Sequence, residues 1–329
     1  MKYASLLTLS LFVPMFASAH TRWFAETSLE KYVTTEPTLL YLSVWASIML
    51  IVILAGIICH QRNHFRLGFL RPKASHAYER AASTFAMVTG SFLLIAGTHE
   101  YLFSPNLTHE VGIPHMLIFI QIFIGIAFML GIATRTSAFI LGFVWLSTFY
   151  FAGWVAALED VWILSTAMFI AVMGNDYFSL ISFSYFREKL QAFKEYALSF
   201  LRLGTGATLV VLGLSEKILA PEFGINFLNL HQWNFMQVLG FPYSDYLFVL
   251  SAGSVEILFG IIFILGAVTR LNALIVAIIF TIPLFLLGPI ELAGHIPHFA
   301  AVVLLLLFGN GGHFLMFKKY PDAQVGQGK

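Results

Sequence analysis

The chain has 329 residues, of which 59% are hydrophobic and 11% are charged, and its mean hydropathy is +0.83. Such a composition excludes a soluble globular domain, and a formal net charge of +1 argues against a nucleic-acid-binding surface. The single cysteine, Cys59, excludes an intrachain disulfide, a CxxC redox pair and a cysteine-ligated cluster. We therefore expect an all-α polytopic membrane protein.

The N-terminus has the three parts of a secretory signal peptide. Lys2 precedes an apolar run over 6–16, and the small residues Ala17-Ser18-Ala19 follow it. This pattern predicts a cleavable signal peptide over 1–19, which would leave His20 as the first mature residue. An uncleaved membrane anchor is the alternative, but the apolar run is short for a transmembrane helix.

Apolar segments of nearly spanning length recur along the rest of the chain and predict about nine transmembrane helices. They cover 38–59, 83–103, 113–132, 137–156, 158–174, 203–220, 246–267, 271–288 and 294–309. With the mature N-terminus outside, most Lys and Arg fall in inner loops, and only Arg22, Lys31 and Lys217 fall on the outer side. The positive-inside rule then predicts a bacterial inner (plasma) membrane protein with a periplasmic N-terminus and a cytoplasmic C-terminus.

Three landmarks indicate an internal repeat. "LGIATRTSAFI" at Leu130 recurs as "LGAVTRLNALI" at Leu265, and "MGN" at Met173 recurs as "FGN" at Phe308, both 135 positions later. "IAGTHEYLFSP" (95–105) matches "VLGLSEKILAP" (211–221) at an offset of 116. Because each half crosses the membrane an even number of times, the pattern predicts two parallel-repeat four-helix bundles after one N-terminal helix.

These boundaries divide the chain into seven predicted segments. They are a signal peptide (1–19), a periplasmic segment (20–37), a first transmembrane helix with a basic cytoplasmic loop (38–79), the first four-helix repeat (80–177), an amphipathic cytoplasmic connector (178–200), the second four-helix repeat (201–312) and a cytoplasmic tail (313–329).

The second half resembles a known family. "RLGTGATLVVLGLSEKILAP" followed by "SVEILFGIIFILGAVTRLNALI" is similar to the DoxX/DoxD superfamily of four-helix membrane proteins, well over 200–310 and weakly over 80–175. The resemblance implies an inner-membrane bundle that serves as an accessory partner in quinone-linked or thiol-linked redox systems. The duplication, the additional first span and the histidines depart from that family pattern.

Most histidines and several carboxylates fall on the predicted outer side, where they form a candidate site for a transition metal. His295 and His298, at positions i and i+3 of one helix, would share a face, and His20 could chelate through its imidazole and the new α-amine. Nitrogen ligands of this kind favour copper. The predicted ligands are His20, His99, His115, His295 and His298, with Glu100 orienting an imidazole. Hydrogen bonding between helices is the structural alternative.

A second hypothesis treats the chain as the membrane subunit of a quinone-linked oxidoreductase, in which Glu100, Glu216 and Glu256 relay protons. The sequence does not decide whether the protein is an enzyme. A third hypothesis is a non-catalytic scaffold for a periplasmic partner. The predicted partners are the lipid bilayer and a periplasmic or membrane redox or metal-handling protein, with copper or a quinone as cofactor and no nucleic acid.

Overall fold

The structure is a computed structural model, and it describes residues 34, 36–181, 184–288 and 290–316. Over these residues the chain is helical, with two isolated β-bridges and no named strand. The predicted signal peptide, His20 and the residues from 317 onward lie outside the described residues.

The helices are numbered here in chain order. They are α1 (Thr38–Gln61), α2 (Ala77–Thr98), α3 (His115–Leu130), α4 (Thr134–Phe151), α5 (Gly153–Glu159), α6 (Val161–Met173), α7 (Ser184–Leu190), α8 (Ala197–Leu212), α9 (Pro221–His231), α10 (Phe235–Val238), α11 (Asp245–Leu265), α12 (Thr269–Leu287) and α13 (Ile290–Phe308). A π-helical segment, Gly213–Ile218, continues α8.

Several helices are long and apolar enough to cross a bilayer, so the chain is a multi-pass membrane protein. Within the described residues these are α1, α2, α11 and the helical run Tyr185–Ile218 that contains α8. The pair α5 and α6, bent by 52°, raises the number to five if it forms one span. Three further apolar stretches, in α3, α12 and α13, are shorter. The prediction of about nine spans stays a prediction.

Two predicted spans differ from the observed helices for local reasons. The span predicted over 83–103 is a helix that begins at Ala77 and ends at Thr98, because Glu100 has a positive φ of 64° that a helix cannot continue through. The span predicted over 158–174 is interrupted at Asp160, between α5 and α6.

The helices of the two halves pack in the same order. In the first half α2 packs against α3 and α4 against α6, and in the second half α8 packs against α11 and α12 against α13. The halves meet where α6 contacts α8 and where α13 contacts α2. A common apolar core runs through these contacts. Helix α1 packs against α11 and leaves most of its surface exposed, as expected for a lipid-facing helix.

Glycine pairs allow the closest helix contacts in each half. A Cβ on Gly90 would lie 2.6 Å from the carbonyl oxygen of Gly125, where α2 meets α3. A Cβ on Gly206 would lie 2.7 Å from the carbonyl oxygen of Gly260, where α8 meets α11. Small residues of this kind let membrane helices approach backbone to backbone. Gly90 and Gly206 are 116 positions apart, and Gly125 and Gly260 are 135 positions apart. These are the same offsets that relate the sequence landmarks.

Candidate functional site

The π-helical segment places two ionisable side chains inside the protein. Glu216 and Lys217 lie in Gly213–Ile218, and both are buried, at 0% and 4% exposure. A π-helix shifts the side chains that follow it around the helix axis, and such segments are frequent at functional sites. The sequence "GLSEKI" therefore turns a lysine toward the neighbouring helix α11.

Lys217 forms a buried ion pair with Glu256 of α11. The Nζ atom donates hydrogen bonds of 2.8 Å to each of the two carboxylate oxygens. Glu256 is 6% exposed, and removing two charges from water costs several kcal/mol per ion before their attraction offsets it. Glycines bring the helices close enough, since a Cβ on Gly253 would lie 2.8 Å from the Cβ of Lys217.

Two buried histidines of α13 lie beside this ion pair. His295 and His298 share one face of the helix, with ring centroids 6.0 Å apart. The ring of His295 contacts Phe280 of α12, and the ring of His298 lies 4.7 Å from the indole of Trp162 on α6. The two histidines thus lie on a common face of α13, as their i, i+3 spacing predicts. Their contacts with Phe280 and Trp162 place them between the two halves of the molecule.

The ion pair and the histidines line one small cavity of about 20 Å³. This volume has room for one water molecule. Thr205 and Thr208 also line it, and their hydroxyl groups donate to the carbonyl oxygens of Leu201 and Gly204. Because their hydrogens are used in this way, the hydroxyl oxygens are left to accept hydrogen bonds from the cavity side. We call the six polar residues Thr205, Thr208, Lys217, Glu256, His295 and His298 the Lys–His cluster.

The Lys–His cluster lies at membrane depth. Glu256 is in the middle of α11, about 16 Å along the helix from Asp245 at 1.5 Å per residue. The hydrocarbon core of a bilayer is about 30 Å thick, so this position is close to its centre when α11 crosses the membrane. An ionisable residue at that depth is costly and marks a functional site by default.

A second group of buried acidic residues lies in the first half. Asp160 is 1% exposed and accepts hydrogen bonds from Ser104 Oγ at 2.7 Å and from Trp162 Nε1 at 3.2 Å. Its neighbour Glu159 is also 1% exposed and accepts from Asn106 Nδ2 at 3.2 Å. Trp162 therefore contacts both this acidic group and the Lys–His cluster. Its indole nitrogen donates to Asp160, and its ring packs against His298.

The predicted metal ligands are placed as follows. His295 and His298 come together, whereas His99 is exposed at the end of α2 and its Nδ1 lies 2.9 Å from the carbonyl oxygen of Ile95. His115 is also exposed, and its ring lies 4.1 Å from that of His109. In the part of the chain that the structure describes, no three His, Cys, Asp or Glu side chains are arranged to hold a metal ion. Copper binding stays a prediction.

The predicted proton relay is also placed only in part. Glu216 and Glu256 are buried, but Glu100 is exposed in the turn that follows α2. Sequence reasoning placed Glu100 within a span, and the early end of α2 places it outside. The prediction that Glu100 orients an imidazole of the ligand set stays a prediction.

Sequence reasoning missed Lys217 and Asp160. The charge distribution predicts Lys217 on the outer side, although this residue falls inside the predicted span 203–220. One signal could have identified it: at the repeat offsets, Tyr101 and Gln121 of the first half correspond to Lys217 and Glu256 of the second. The first half thus has the neutral residues Tyr101 and Gln121 where the second half has two residues of opposite charge. Asp160 falls inside the predicted span 158–174, and its burial depends in part on a hydrogen bond from Ser104, a distant contact that the sequence does not reveal.

No family model matches this chain, and no curated protein or solved structure matches it either. The resemblance to the DoxX/DoxD superfamily therefore stays a prediction.

Proposed function

We propose that this chain is an inner-membrane protein that transfers protons through the Lys–His cluster, as the membrane subunit of a quinone-linked oxidoreductase. The observation that carries the proposal is the ion pair of Lys217 and Glu256 beside two histidines at a cavity with room for one water. An apolar pair could fill the same space without the cost of burying charges. Proton binding gives these side chains a reason to be there.

The size of the cavity favours protons over larger ligands. A proton moves between hydrogen-bonding groups and needs only one bridging water, whereas a quinone ring needs far more than about 20 Å³. The four ionisable side chains of the Lys–His cluster can each hold or release a proton. In this proposal a quinone outside the cavity takes two electrons from two thiols, which become a disulfide, and the cluster delivers the two protons that complete the quinol.

The link to quinone chemistry rests on the resemblance to the DoxX/DoxD superfamily, which implies accessory partners in quinone-linked redox systems. The proposed architecture is the duplicated one, with about nine spans and a periplasmic N-terminus. The matching glycine pairs and the common order of helix packing support the duplication.

Proton transfer can be tested with purified protein in liposomes that contain a pH-sensitive dye. We expect an imposed membrane potential to drive proton entry, and we expect Lys217→Met with Glu256→Leu to abolish it. This double substitution removes the pair without leaving one charge buried. The control, Arg135→Met with Asp176→Leu, removes another ion pair that lies away from the cavity. Equal flux in the wild-type protein and the Lys217/Glu256 variant would contradict the proposal.

The quinone link needs a separate measurement. With a thiol added as electron donor, membranes that contain the wild-type protein should reduce an added quinone faster than membranes that lack it, and the Lys217/Glu256 variant should be slow. If proton flux is present but quinone reduction does not depend on the protein, proton transfer stands and the oxidoreductase assignment fails.

A transition-metal site is the second candidate, and one observation favours it. His295 and His298 are buried on one face with their ring centroids 6.0 Å apart, so both imidazoles can turn toward a shared ion. A copper site would then need further ligands, for which His20 is the predicted source.

A further inference from the structure

A larger cavity lies at the opposite end of the second half from the outer loops. Its volume is about 280 Å³, and it lies between the end of α1 with its following loop, the start of α12, and the residues after α13. We call it the basic pocket and define it by six of the polar side chains that line it: His60, His64, Arg66, Arg71, Thr269 and Arg270. It shares no residue with the Lys–His cluster.

The lining of the basic pocket is strongly positive. It contains three arginines and two histidines, and no Asp or Glu is among the described residues that line it. Arginine presents a planar fork of donors that matches the oxygens of a phosphate group. Charges grouped in this way in a concave surface attract anions.

The corresponding place in the first half contains an acidic residue. There Arg135 is paired with Asp176, whose carboxylate oxygens accept hydrogen bonds of 2.7 and 2.8 Å from the guanidinium. At the repeat offset of 135, Arg135 corresponds to Arg270 and Asp176 corresponds to Gly311. The carboxylate that neutralises the first site therefore has no counterpart in the sequence of the second.

Local geometry prepares the basic pocket for an anion. Arg270 is held by hydrogen bonds to the carbonyl oxygens of Arg66 at 3.1 Å and Leu307 at 3.4 Å, which fixes its guanidinium against the wall. Thr269 is 5% exposed, and its buried hydroxyl oxygen has no hydrogen-bond partner among the described residues. It stands at the first position of α12, where the helix dipole and the free amides favour negative charge.

Exposed aromatic residues place this pocket at the surface of the membrane. Phe65 lines the pocket and is 55% exposed, and Phe69 nearby is 80% exposed. Large apolar side chains beside arginines are typical of the headgroup region, where rings enter the lipid and charges meet the headgroups. Basic pockets between transmembrane helices bind anionic headgroups by the same contacts.

We propose that the basic pocket binds a phosphate group, carried either by an anionic phospholipid headgroup or by free inorganic phosphate. Arg71 and Arg270 supply the charge, and Thr269 supplies a hydroxyl donor. The lipid source agrees with the exposed phenylalanines, and the two sources are separated by experiment.

The test uses the full-length protein purified in detergent. Binding of phosphatidylglycerol and of phosphatidylcholine is measured by native mass spectrometry, and inorganic phosphate is added as a third probe in a thermal unfolding assay. We expect phosphatidylglycerol to bind at least about tenfold more tightly than phosphatidylcholine, and phosphate to compete with it. A shift of melting temperature by phosphate with no preference between the lipids would assign the pocket to free phosphate.

Four variants decide whether the basic pocket is responsible. Arg71→Gln with Arg270→Gln should weaken binding about tenfold or more, the loss expected for one charge-assisted hydrogen bond. Arg62→Gln with Lys73→Gln removes the same charge from exposed residues outside the pocket and should bind as the wild type does. Thr269→Val tests the hydroxyl donor with little change of volume. Arg71→Gln alone changes only an exposed residue, so a loss of binding in this variant would not be due to misfolding. The proposal would be overturned if all four variants bound with the affinity of the wild type, or if the wild type bound neither phosphatidylglycerol nor inorganic phosphate.

Discussion

The indole ring of Trp162 lies 4.7 Å from the imidazole ring of His298, centroid to centroid, and its Nε1 donates to Asp160 at 3.2 Å. One side chain of α6 therefore connects the buried acidic residues of the first half to the histidines of the second. The Lys–His cluster and Asp160 are neighbours through this ring, although they belong to different halves of the sequence.

Trp162→Phe should separate the two contacts of this side chain. A phenyl ring can keep the packing against His298, but it loses the hydrogen bond to the Asp160 carboxylate. We expect a loss of about 1.5–3 kcal/mol in the free energy of unfolding, which is the range for hydrogen bonds to charged groups. Denaturant unfolding in lipid bicelles measures this loss. Trp162→Phe with Asp160→Asn tests the assignment, because a cost that persists unchanged there would not come from this bond.

Breaking the ion pair on one side should cost more than removing it. Lys217→Met leaves the Glu256 carboxylate buried without its cation, and we expect a loss of about 3–5 kcal/mol in the free energy of unfolding. The double variant Lys217→Met with Glu256→Leu should recover most of this loss, since no charge stays buried. A double-mutant cycle measures the coupling. Additive losses from the two single substitutions would show that the side chains do not interact.

The contact of α8 with α11 should not tolerate a methyl group. Gly206→Ala would place a Cβ 2.7 Å from the carbonyl oxygen of Gly260, and we expect the helices to separate at a cost of about 1–3 kcal/mol. Gly142→Ala in α4 is the matched control, because its nearest neighbour, the Cβ of Ala167, is 4.0 Å away. That change should be neutral or stabilising, as helix propensity predicts. Similar melting temperatures for both variants would refute the close contact.

The pair of Arg135 and Asp176 should make stability depend on acid pH. Burial alone would raise the pKa of the Asp176 carboxyl, but the hydrogen bond and charge of Arg135, with the charge of Arg187, lower it below the ordinary value of 3.8. A lowered pKa in the folded state means that this carboxylate stabilises the protein above pH 3.8 and that the effect is lost as pH falls through the lowered pKa.

We therefore expect Asp176→Asn to be less stable than the wild type at neutral pH, with a difference that shrinks in strong acid. Unfolding measured over a pH series compares the two proteins. A difference that stays constant down to the lowest pH would assign the effect to packing instead of charge.

Metal binding by the histidine pair has a direct assay. Purified protein is incubated with Cu(II), separated from free ion and analysed for metal content, beside His295→Ala with His298→Ala. The metal candidate predicts bound copper in the wild type and its loss in the variant. His231→Ala is the control, because this histidine lies on α9, outside the cavity. Equal copper content in the wild type and the double variant would eliminate the site.

Hydropathy and spacing were sufficient to predict a helical membrane protein and one side of the site. The i, i+3 spacing of His295 and His298 fixes their common face whatever the rest of the chain does. Helix α2 was predicted to extend too far, because apolar residues continue after Thr98 while the backbone turns at Glu100. A hydropathy profile depends on the composition of a segment, so it does not detect a backbone turn such as the one at Glu100.

The remaining parts of the site depend on contacts that one sequence does not record. Lys217 is aimed at Glu256 by a π-helical segment, and no local pattern in "GLSEKI" distinguishes that segment from a regular helix. Asp160 is buried because Ser104 and Trp162 donate to it, and Ser104 is far away in the chain. The repeat offsets pair Gln121 with Glu256 and Tyr101 with Lys217, and this exchange is a signal for the ion pair in the sequence.

The central claim is that the buried carboxylate of Glu256 exchanges protons with its surroundings while the protein is folded in a membrane. Infrared difference spectroscopy of the protein in lipid vesicles measures this directly, by comparing spectra recorded with and without an imposed membrane potential that drives proton flux. We predict a carboxylic-acid C=O band that appears reversibly while protons flow and is missing in Glu256→Gln. A difference spectrum in which the wild type and Glu256→Gln show the same bands would mean that Glu256 takes up no proton during transfer, and would contradict proton transfer through the Lys–His cluster.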